Sequence, residues 1–302
     1  MKREEKKKHH GCLTLIPGLL VIAALTWTVL QCVSHKHPES KDYANQLTVL
    51  TYNTHQMEMY TKAHQNRIIH YLQRQNADIV CLQEVDVYKD DKYLTLPELK
   101  KAMSQYPYSY FDFKIYNKRH QYGVAVFSKY PLSNKNTIRY TSLGNISNYC
   151  DVAVGKDTFR LFNNHLESNR LVVSDLPDSI ESEALRESAH RISDKLGSAR
   201  KIRRAQAVAV REEINQSPYP VIVAGDFNDT PLSYTYQKIK GGKLRDCFLE
   251  SSVGRLGFTL TKHHIGIRID YILCSSQLHP LGTHIDRVNY SDHYPMIVTL
   301  AW

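Results

Sequence analysis

Short apolar segments alternate with polar ones from residue 47 to residue 302, and most have the length and composition of β-strands. Runs of about four to eight residues rich in β-branched and aromatic side chains, bounded by turn-forming residues, are typical of strands. Gly155-Lys156-Asp157 predicts the turn of a hairpin, and residues 144–148 predict a second turn. The pattern predicts strands at 47–53, 77–84, 108–116, 122–127, 149–154, 158–165, 220–225, 267–273, 283–288 and 295–301.

Helices are predicted where apolar residues recur at intervals of three and four. A helix is expected at about 61–76, with three apolar residues on one side: Ile68, Ile69 and Leu72. A short helix is expected to start at Pro97 or just before it. The same spacing predicts an amphipathic helix at 199–214.

The segment 168–216 interrupts this alternation because it is long, charged and rich in helix-forming residues. Its first half has no clear packing partner. We expect that half to be either a mobile flap or an insertion that faces the substrate. The alternative is that most of its charged residues lie on a solvated helical face. Strands and helices mixed in this order indicate an α/β fold with two packed β-sheets and helices outside them.

The N-terminus has a different pattern, in which basic residues precede a nearly uncharged stretch at 11–33. This stretch is long enough to cross the roughly 30 Å hydrocarbon core of a bilayer. Positive flanks stay in the cytoplasm, so the rest of the chain is expected on the periplasmic or extracellular side of a bacterial envelope. The alternative is a cleaved signal peptide, whose apolar region is normally shorter and followed by small residues. The pattern predicts a cytoplasmic segment at 1–10, a transmembrane anchor at 11–33, a linker at 34–46 and one domain at 47–302.

Charge and cysteine content change this picture little. The first 45 residues carry +3 of the net charge of +9, which leaves +6 for the domain. That excess suits a polyanionic or phosphorylated substrate and equally fits a mildly basic surface. The six cysteines are scattered without C-x-x-C or zinc-type spacing, so no disulfide framework is expected.

Polar and ionisable residues stand at the ends of several predicted strands. Gly225-Asp226-Phe227-Asn228 ends the strand at 220–225, and Ser291-Asp292-His293 precedes the last strand. Four more residues lie at comparable strand ends: Asn53, Glu84, His165 and Asp270. Polar groups at the end of a buried strand are costly unless they are paired or bind something. We therefore expect a functional site at one rim of the β-sheet core.

Seven short motifs follow one another along the chain: Thr51-Tyr-Asn, Leu82-Gln-Glu-Val, Gly123-Val-Ala-Val-Phe-Ser-Lys-Tyr-Pro-Leu, Asn164-His-Leu-Glu-Ser, Gly225-Asp-Phe-Asn-Asp, Arg268-Ile-Asp-Tyr-Ile-Leu and Ser291-Asp-His. In this order they resemble the endonuclease/exonuclease/phosphatase superfamily from about residue 46 to the C-terminus. The resemblance implies a four-layer α/β sandwich and metal-dependent hydrolysis of phosphate esters. Members act on DNA, RNA, sphingomyelin, inositol phosphates and protein–nucleotide adducts, so the family alone leaves the ester open.

The resemblance assigns the metal site to Glu84, with Asn53 and Asp292 beside it, and implies Mg²⁺ or Mn²⁺. A sparse, oxygen-only ligand set suits Mg²⁺, because this ion keeps several waters and takes one or two protein carboxylates. Zn²⁺ would require more His or Cys residues close together. The alternative is that Glu84 caps the loop after its strand.

Asp226 and Asn228 are two residues apart, so an extended backbone places both side chains on one face of a strand end. The resemblance implies that Asp226 orients or deprotonates the attacking water. It also implies that Asn228 donates a hydrogen bond to a phosphoryl oxygen. The alternative is a local Asx turn around these residues, which can coexist with both roles.

His293 is the expected acid/base, because histidine titrates near neutral pH and an acidic partner stabilises its charged form. The resemblance implies that Asp270 is this partner and that His165, with the metal, stabilises charge on the phosphoryl oxygens. Tyr149, which precedes a predicted strand, is a further candidate for contact with the phosphate. Four other histidines are expected to be structural or exposed: His55, His64, His263 and His264.

These observations predict a membrane-anchored, Mg²⁺-dependent phosphoesterase that hydrolyses phosphodiester bonds. Its expected partners are the membrane and a nucleic acid, a lipid head group or another phosphodiester; no protein partner is implied. One alternative is a phosphomonoesterase of the same fold, since specificity depends on loop shape. Another is a binding or scaffold protein that has lost catalysis. Along the chain, we find no array of aromatic residues interleaved with basic ones that would indicate nucleic acid as the substrate.

Overall fold

The computed structural model describes residues 42–142, 144–169, 182–252, 256–262 and 265–302. The strands in these ranges are β1 Gln46–Asn53, β2 Ile79–Tyr88, β3 Tyr108–Tyr116, β4 His120–Ser128, β5 Leu132–Ile138, β6 Ser147–Val154, β7 Asp157–His165, β8 Val221–Asp226, β9 Leu244–Asp246, β10 Leu260–Lys262, β11 Ile265–Ile267, β12 Asp270–Ser275, β13 His279–Ile285 and β14 Met296–Ala301. The α-helices are α1 Arg67–Gln75, α2 Leu96–Ala102, α3 Ser182–Asn215, α4 Tyr234–Lys240 and α5 Cys247–Ser251.

Two six-stranded sheets form the centre of the domain. The first has the strand order β13-β14-β1-β2-β4-β3, and the second has the order β5-β6-β7-β8-β12-β9. Their inner faces meet in one apolar core, to which Val49 and Val298 contribute from the first sheet and Leu161 and Ile222 from the second. Burial of such side chains is the main force that holds the two sheets together.

The outer faces of the sheets are covered by helices. Ile68 of α1 and Leu99 of α2 are buried in the cluster on the first sheet. Val210 of α3 and Ile239 of α4 are buried in the cluster on the second sheet. Helix, sheet, sheet and helix therefore follow one another as layers. The four-layer α/β sandwich predicted from the sequence is confirmed.

Strand register brings the polar strand ends to one rim. β1 and β2 run parallel with Asn53 opposite Gln83, next to Glu84. In the second sheet β7 and β8 run parallel with His165 opposite Asp226, and β12 pairs antiparallel with Asp270 opposite Asp226. The same rim of each sheet therefore carries these residues.

Most predicted strands are present with shifted ends, and several elements were not predicted. The strand predicted at 267–273 is divided between β11 and β12, and the one predicted at 283–288 lies at His279–Ile285. Residues 147 and 148, predicted as part of a turn, belong to β6. β5 was missed because it is an edge strand whose residues 133–137 are exposed and polar, so no apolar alternation marks it. The other unpredicted elements are β9, β10, α4 and α5.

The helix predicted at 61–76 is shorter than expected. A 3₁₀ turn at Ala63–Gln65 comes first, and α1 then begins after Asn66, whose side chain accepts a hydrogen bond from the Ile69 N–H. An Asn in this position satisfies one of the free N–H groups at the start of a helix.

The helix predicted at 199–214 is the second part of α3, which begins at Ser182. Part of the predicted insertion is thus helical, and residues 170–181 lie outside the described ranges. So do the predicted anchor at 11–33, His263 and His264. In the part of the chain that the structure describes, no helix is both long and apolar enough to span a membrane.

Candidate active site

Asn53 lies at the centre of the rim, between two carboxylates from different sheets. Its Nδ2 donates to Glu84 Oε1 at 3.1 Å and to Asp226 Oδ2 at 2.9 Å. Its Oδ1 accepts from the backbone N–H of His55 at 3.1 Å. The side chain is almost fully buried, so these bonds fix it and tie β1, β2 and β8 together.

Glu84 occupies a bulge of β2 between Leu82 and Val85, where its own φ is +55°. Burial by itself raises the pKa of the Glu84 carboxyl, but His165 and the hydrogen bond from Asn53 outweigh burial and hold this pKa below its usual value. The carboxylate is therefore ionised at neutral pH. A non-glycine residue with positive φ costs energy, which is tolerated where the conformation serves a site.

His293 is buried between two carboxylates. Its Nδ1 lies 2.8 Å from Asp270 Oδ2, and its Nε2 lies 3.8 Å from Asp226 Oδ2. Burial opposes the charge of the imidazole, but the charges of Asp270 and Asp226 outweigh it and raise the pKa of His293 to about 10. The imidazole therefore carries a proton on each nitrogen at neutral pH.

Asp226 takes part in a local turn as well as in the site. The Asn228 N–H donates to Asp226 Oδ1 at 2.7 Å, so the Asx turn weighed from the sequence is present. The Asn228 Nδ2 donates to Asp226 Oδ2 at 3.1 Å and to the Leu166 carbonyl at 3.0 Å. Gly225 is required here, because a Cβ at this position would lie 2.1 Å from the Asn164 carbonyl oxygen. Burial, and then Asp270, raise the pKa of Asp226 to about 7.

His165 lies near Glu84 and Asp226, with its Nε2 3.6 Å from Glu84 Oε1 and 4.0 Å from Asp226 Oδ2. The Asn145 Nδ2 lies 2.9 Å from the same Nε2 and also donates to the Leu166 carbonyl at 2.9 Å. The bond to a carbonyl identifies this end of the Asn145 amide as the donor, so Nε2 of His165 accepts. Burial lowers the pKa of His165 despite the opposing charge of Glu84.

Asp292 lies on the open side of the rim, opposite Glu84. The Nδ1 of His55 is 3.4 Å from Asp292 Oδ1 and 3.9 Å from Glu84 Oε2, so the two carboxylates border the same space. The neighbouring Ser291 Oγ donates to the Asn53 carbonyl at 2.8 Å and fixes this loop. His55 was expected to be structural or exposed. Its side chain is exposed and lies beside the site.

Two sets of side chains offer ligands to a metal ion. Asp226, Asp270 and His293 have ligand atoms within 4.8 Å of one another. In this cluster, however, the Nδ1 of His293 is already engaged by Asp270 and its Nε2 faces Asp226. The oxygens of Glu84 and Asp292, with Asn53 beside them, face a more open space and form the sparse oxygen set that Mg²⁺ takes.

Tyr149 does not reach this rim. Alternate residues of a strand face opposite sides of the sheet, and the neighbouring Cys150 faces the core between the sheets. Tyr149 therefore faces the helix layer, where its ring lies 5.4 Å from that of Phe162 and under Arg160 at 4.7 Å. The structure therefore does not bring Tyr149 together with the other predicted site residues.

Two residues of the site were missed from the sequence. Tyr122 of β4 lies beside Glu84 in the same cleft, and burial followed by the charge of Glu84 raises the pKa of its phenol. Asn145, in the loop before β6, orients His165. Neither lies in a recognisable motif. Strand register alone brings Tyr122 to Glu84, and a loop conformation brings Asn145 to His165.

The model of the Endonuclease/Exonuclease/phosphatase family matches residues 50–293 of the chain. A truncated Caenorhabditis elegans TDP2 structure is 19% identical, covers 86% of this chain and 99% of its own, and has a TM-score of 0.60. An endonuclease/exonuclease/phosphatase from Beutenbergia cavernae is 18% identical over 85% of this chain and 71% of its own, with a TM-score of 0.58. The corresponding Bacteroides vulgatus protein is 20% identical over 85% of this chain and 98% of its own, with a TM-score of 0.55. No curated protein sequence matches significantly. The structures share the fold, and the family model, with the rim residues it includes, shows that this chain belongs to the endonuclease/exonuclease/phosphatase family.

Proposed function

We propose that the protein is a divalent-metal-dependent phosphoesterase that hydrolyses phosphodiester bonds. One observation carries the proposal. Ionised Glu84, protonated His293 and the carboxylate of Asp226 lie around one rim, and Asn53 bonds two of them. Such a site combines a metal-binding carboxylate, a base and a cation within reach of one phosphate group.

Glu84, Asn53 and Asp292 would hold the metal, with Mg²⁺ favoured over Mn²⁺ by the oxygen ligands. When bound, the ion supplies Lewis-acid stabilisation of charge on the phosphoryl oxygens. Tyr122 lies beside Glu84 and would hold its carboxylate in one orientation by a hydrogen bond from its phenol. A ligand fixed in this way by a second residue binds its metal more tightly.

Asp226 would accept a proton from the attacking water. Its pKa of about 7 is close to the value at which a carboxylate is both ionised and basic enough at neutral pH. Protonated His293 would stabilise a phosphoryl oxygen or donate its proton to the leaving oxygen, with Asp270 stabilising its charge. In this structure Asn228 donates to Asp226 and Leu166, so it positions the base and would turn to a phosphoryl oxygen only on substrate binding.

The rival functions make different demands on the site. A scaffold protein derived from this fold would lack a metal ligand or the acid/base pair, and the chain keeps all of these residues. A phosphomonoesterase would use the same residues with a cleft shaped for a terminal phosphate. Only the substrate preference separates a phosphomonoesterase from the proposed phosphodiesterase.

The test uses the full-length chain in a mild detergent with bis(p-nitrophenyl) phosphate and p-nitrophenyl phosphate. We expect hydrolysis of the diester with Mg²⁺, loss of activity with EDTA, and loss in His293→Ala at unchanged folding. Preference for the monoester would identify a phosphomonoesterase. Absence of turnover on both esters and on a panel of nucleic acids and phospholipids would favour the binding protein.

The membrane anchor at 11–33 and the outward orientation are part of the proposal. Their support is the apolar stretch and its basic flank in the sequence. A tag placed after Trp302 should be degraded by external protease in spheroplasts. A protected tag would place the domain inside the cytoplasm and remove lipids and nucleic acids outside it from the candidate substrates.

A further inference from the structure

A cleft of about 680 Å³ extends from the rim along β2 and β4, beyond the residues used so far. Glu84 and His165 line its inner end. Its floor continues through Asp86 and Tyr88 of β2, which pair with Tyr122 and His120 of β4. The rise of a strand places Tyr88 about 13 Å from Glu84. The cleft is therefore long enough for a phosphate ester together with a group attached to it.

Three tyrosines form the outer end of this cleft, and we refer to Tyr60, Tyr88 and Tyr93 as the tyrosine wall. The Tyr93 ring lies 5.0 Å from Tyr60 and 5.1 Å from Tyr88, in edge-on contacts of 61° and 63°. Edge-on packing of this kind leaves ring faces free for other groups. Tyr60 is 60% exposed and has the most accessible ring of the three.

Contacts with Asp86, His120 and Leu94 support the tyrosine wall. Asp86 is buried, and its Oδ1 lies 2.7 Å from the Nδ1 of His120. The His120 ring stacks on Tyr88 at 5.9 Å and 28°. The Tyr88 N–H donates to the Leu94 carbonyl at 2.8 Å, which ties the loop carrying Tyr93 to β2. These contacts hold Tyr88 and Tyr93 in place before any ligand arrives.

Tyr60 is held by a strained loop. It has φ +73°, and four residues before it also have positive φ: His55, Gln56, Met57 and Glu58. Left-handed backbone costs roughly 1–2 kcal/mol for each non-glycine residue. Glu58 pairs with Arg67 at the start of α1, and its carbonyl accepts from Thr61 Oγ1 at 2.8 Å, so contacts on both sides maintain the loop. An exposed aromatic ring held at this cost indicates a role in binding.

The charges around the wall are of both signs, since Asp90 and Arg119 both line the cleft beside it. The Nζ of Lys92 lies 5.2 Å from the Tyr93 ring, and Arg119 lines the cleft. The Nζ of Lys89 lies 4.0 Å from the ring of neighbouring Tyr116. Of the nearby carboxylates, Asp86 is engaged by His120, and Asp90 Oδ1 accepts from the backbone N–H of Lys92 at 3.2 Å. The basic side chains of Lys92 and Arg119 attract a phosphate and repel a quaternary ammonium group.

We propose that the tyrosine wall binds the nucleobase of a substrate nucleotide whose esterified phosphate lies at Glu84. This inference rests on the proposed phosphodiesterase function and specifies its substrate class. Tyr60 would stack on the base, and Lys92 and Arg119 would contact the sugar–phosphate backbone. Stacking is tolerant of base identity because every base offers a flat ring face. The sequence did not indicate such an array, because its members lie on two separate loops and a strand.

The test compares three esters with the same p-nitrophenolate leaving group. Thymidine 5′-(p-nitrophenyl phosphate) carries a base, methyl p-nitrophenyl phosphate carries none, and p-nitrophenylphosphorylcholine carries a cation. We expect the full-length chain with Mg²⁺ to prefer the thymidine ester in kcat/KM by about tenfold, the usual effect of stacking one base. Tyr60→Ala should abolish the preference for the thymidine ester over the methyl ester, and Tyr60→Phe should retain it.

A matched control is Tyr108→Ala, which removes another exposed tyrosine. Tyr108 begins β3, whereas the cleft lies at the other end of this strand, at Ile115, so the variant should keep the preference. Equal kcat/KM for the thymidine and methyl esters would overturn the tyrosine wall and leave the phosphodiesterase intact. Preference for the choline ester would also overturn it, and would identify the wall as a cation site.

Calorimetry answers the same question without turnover. Thymidine 5′-monophosphate should bind about tenfold more tightly than deoxyribose 5-phosphate, and Tyr60→Ala should remove this difference. If no ester is hydrolysed but the difference in binding persists, the wall stands and the proposed enzyme function fails. Equal binding of both ligands to the wild-type chain would overturn the wall independently of catalysis.

Discussion

His165 and His293 lie on either side of Asp226 and are both buried, yet their pKa values move in opposite directions. Nδ1 of His293 lies 2.8 Å from the carboxylate of Asp270. The nearest partner of His165 is the neutral amide of Asn145, at 2.9 Å from its Nε2. Burial disfavours the charge in both, and the charges of Asp270 and Asp226 overcome it at His293, whereas the charge of Glu84 does not at His165. A hydrogen-bonded carboxylate with a second one nearby therefore keeps one buried histidine charged while the other is neutral.

The two histidines consequently suit different tasks. His293 is a proton donor and a positive charge beside the proposed base. His165 is neutral in the described structure, and its Nδ1 has no hydrogen-bond partner among the described residues. The sequence resemblance implied charge stabilisation by His165, which requires that it gain a proton or turn its N–H toward a phosphoryl oxygen when substrate binds.

The largest effect on activity is expected from Asp270→Asn. This change would give His293 a neutral amide partner, as His165 has. Without the carboxylate, the pKa of His293 falls and its proton is lost near neutral pH. We expect kcat at pH 7 to fall by about 10³- to 10⁴-fold, as when the acid partner of a catalytic histidine is neutralised. Asp157→Asn is a suitable control, since Asp157 bonds Trp302 at the other end of β7. Near-normal turnover in Asp270→Asn would contradict the assignment of His293.

The raised pKa of His293 also predicts how the stability of the metal-free protein varies with pH. The folded state binds this proton more tightly than the unfolded state, whose pKa is the ordinary 6.5. The stabilisation is therefore complete below about pH 6.5 and is lost as pH rises toward 10, on the order of a few kcal/mol. Urea unfolding in EDTA at several pH values measures it. The same slope in His293→Gln would show that other groups cause it.

Asn145→Asp is expected to have a smaller effect, which is on the pKa of His165. The change would give His165 a carboxylate partner like that of His293. We expect the pKa of His165 to rise by about 1 to 3 units, as for other histidine–carboxylate pairs of this proximity. NMR titration of the imidazole measures the change directly. Asn145→Ala removes the amide without adding charge, and should leave His165 neutral. An unchanged pKa in Asn145→Asp would show that burial dominates at this position.

The parts of the site that could be predicted from sequence are those in which a polar residue interrupts a buried strand. Asn53, Asp226 and Asp270 could be recognised because most of their neighbours along the strand are apolar. The position of Tyr149, away from the other site residues, could not be predicted, because proximity to a strand does not reveal which face of the sheet a side chain occupies. Asn145 and Tyr60 depend on loop conformation, which local sequence patterns do not specify.

The same distinction applies to the fold. Strands buried on both faces could be predicted within a few residues, because burial makes their composition distinctive. β5 could not, because the polar residues 133–137 of this edge strand are exposed to water on both faces. The tyrosine wall needed the register of β2 and β4, which places Tyr88 opposite His120. Pairing between distant strands is a property of the whole chain and leaves little local signal.

The position of β14 has a consequence for how the protein matures. This strand lies between β13 and β1, with Ala301 opposite Gln46, so the first sheet is incomplete until the last strand of the chain has emerged. Contacts between such distant segments form slowly because a long loop must close first. Asp292 and His293 stand just before β14. A partly synthesised chain would therefore lack an assembled rim, which forms only after β14 has been inserted beside β1.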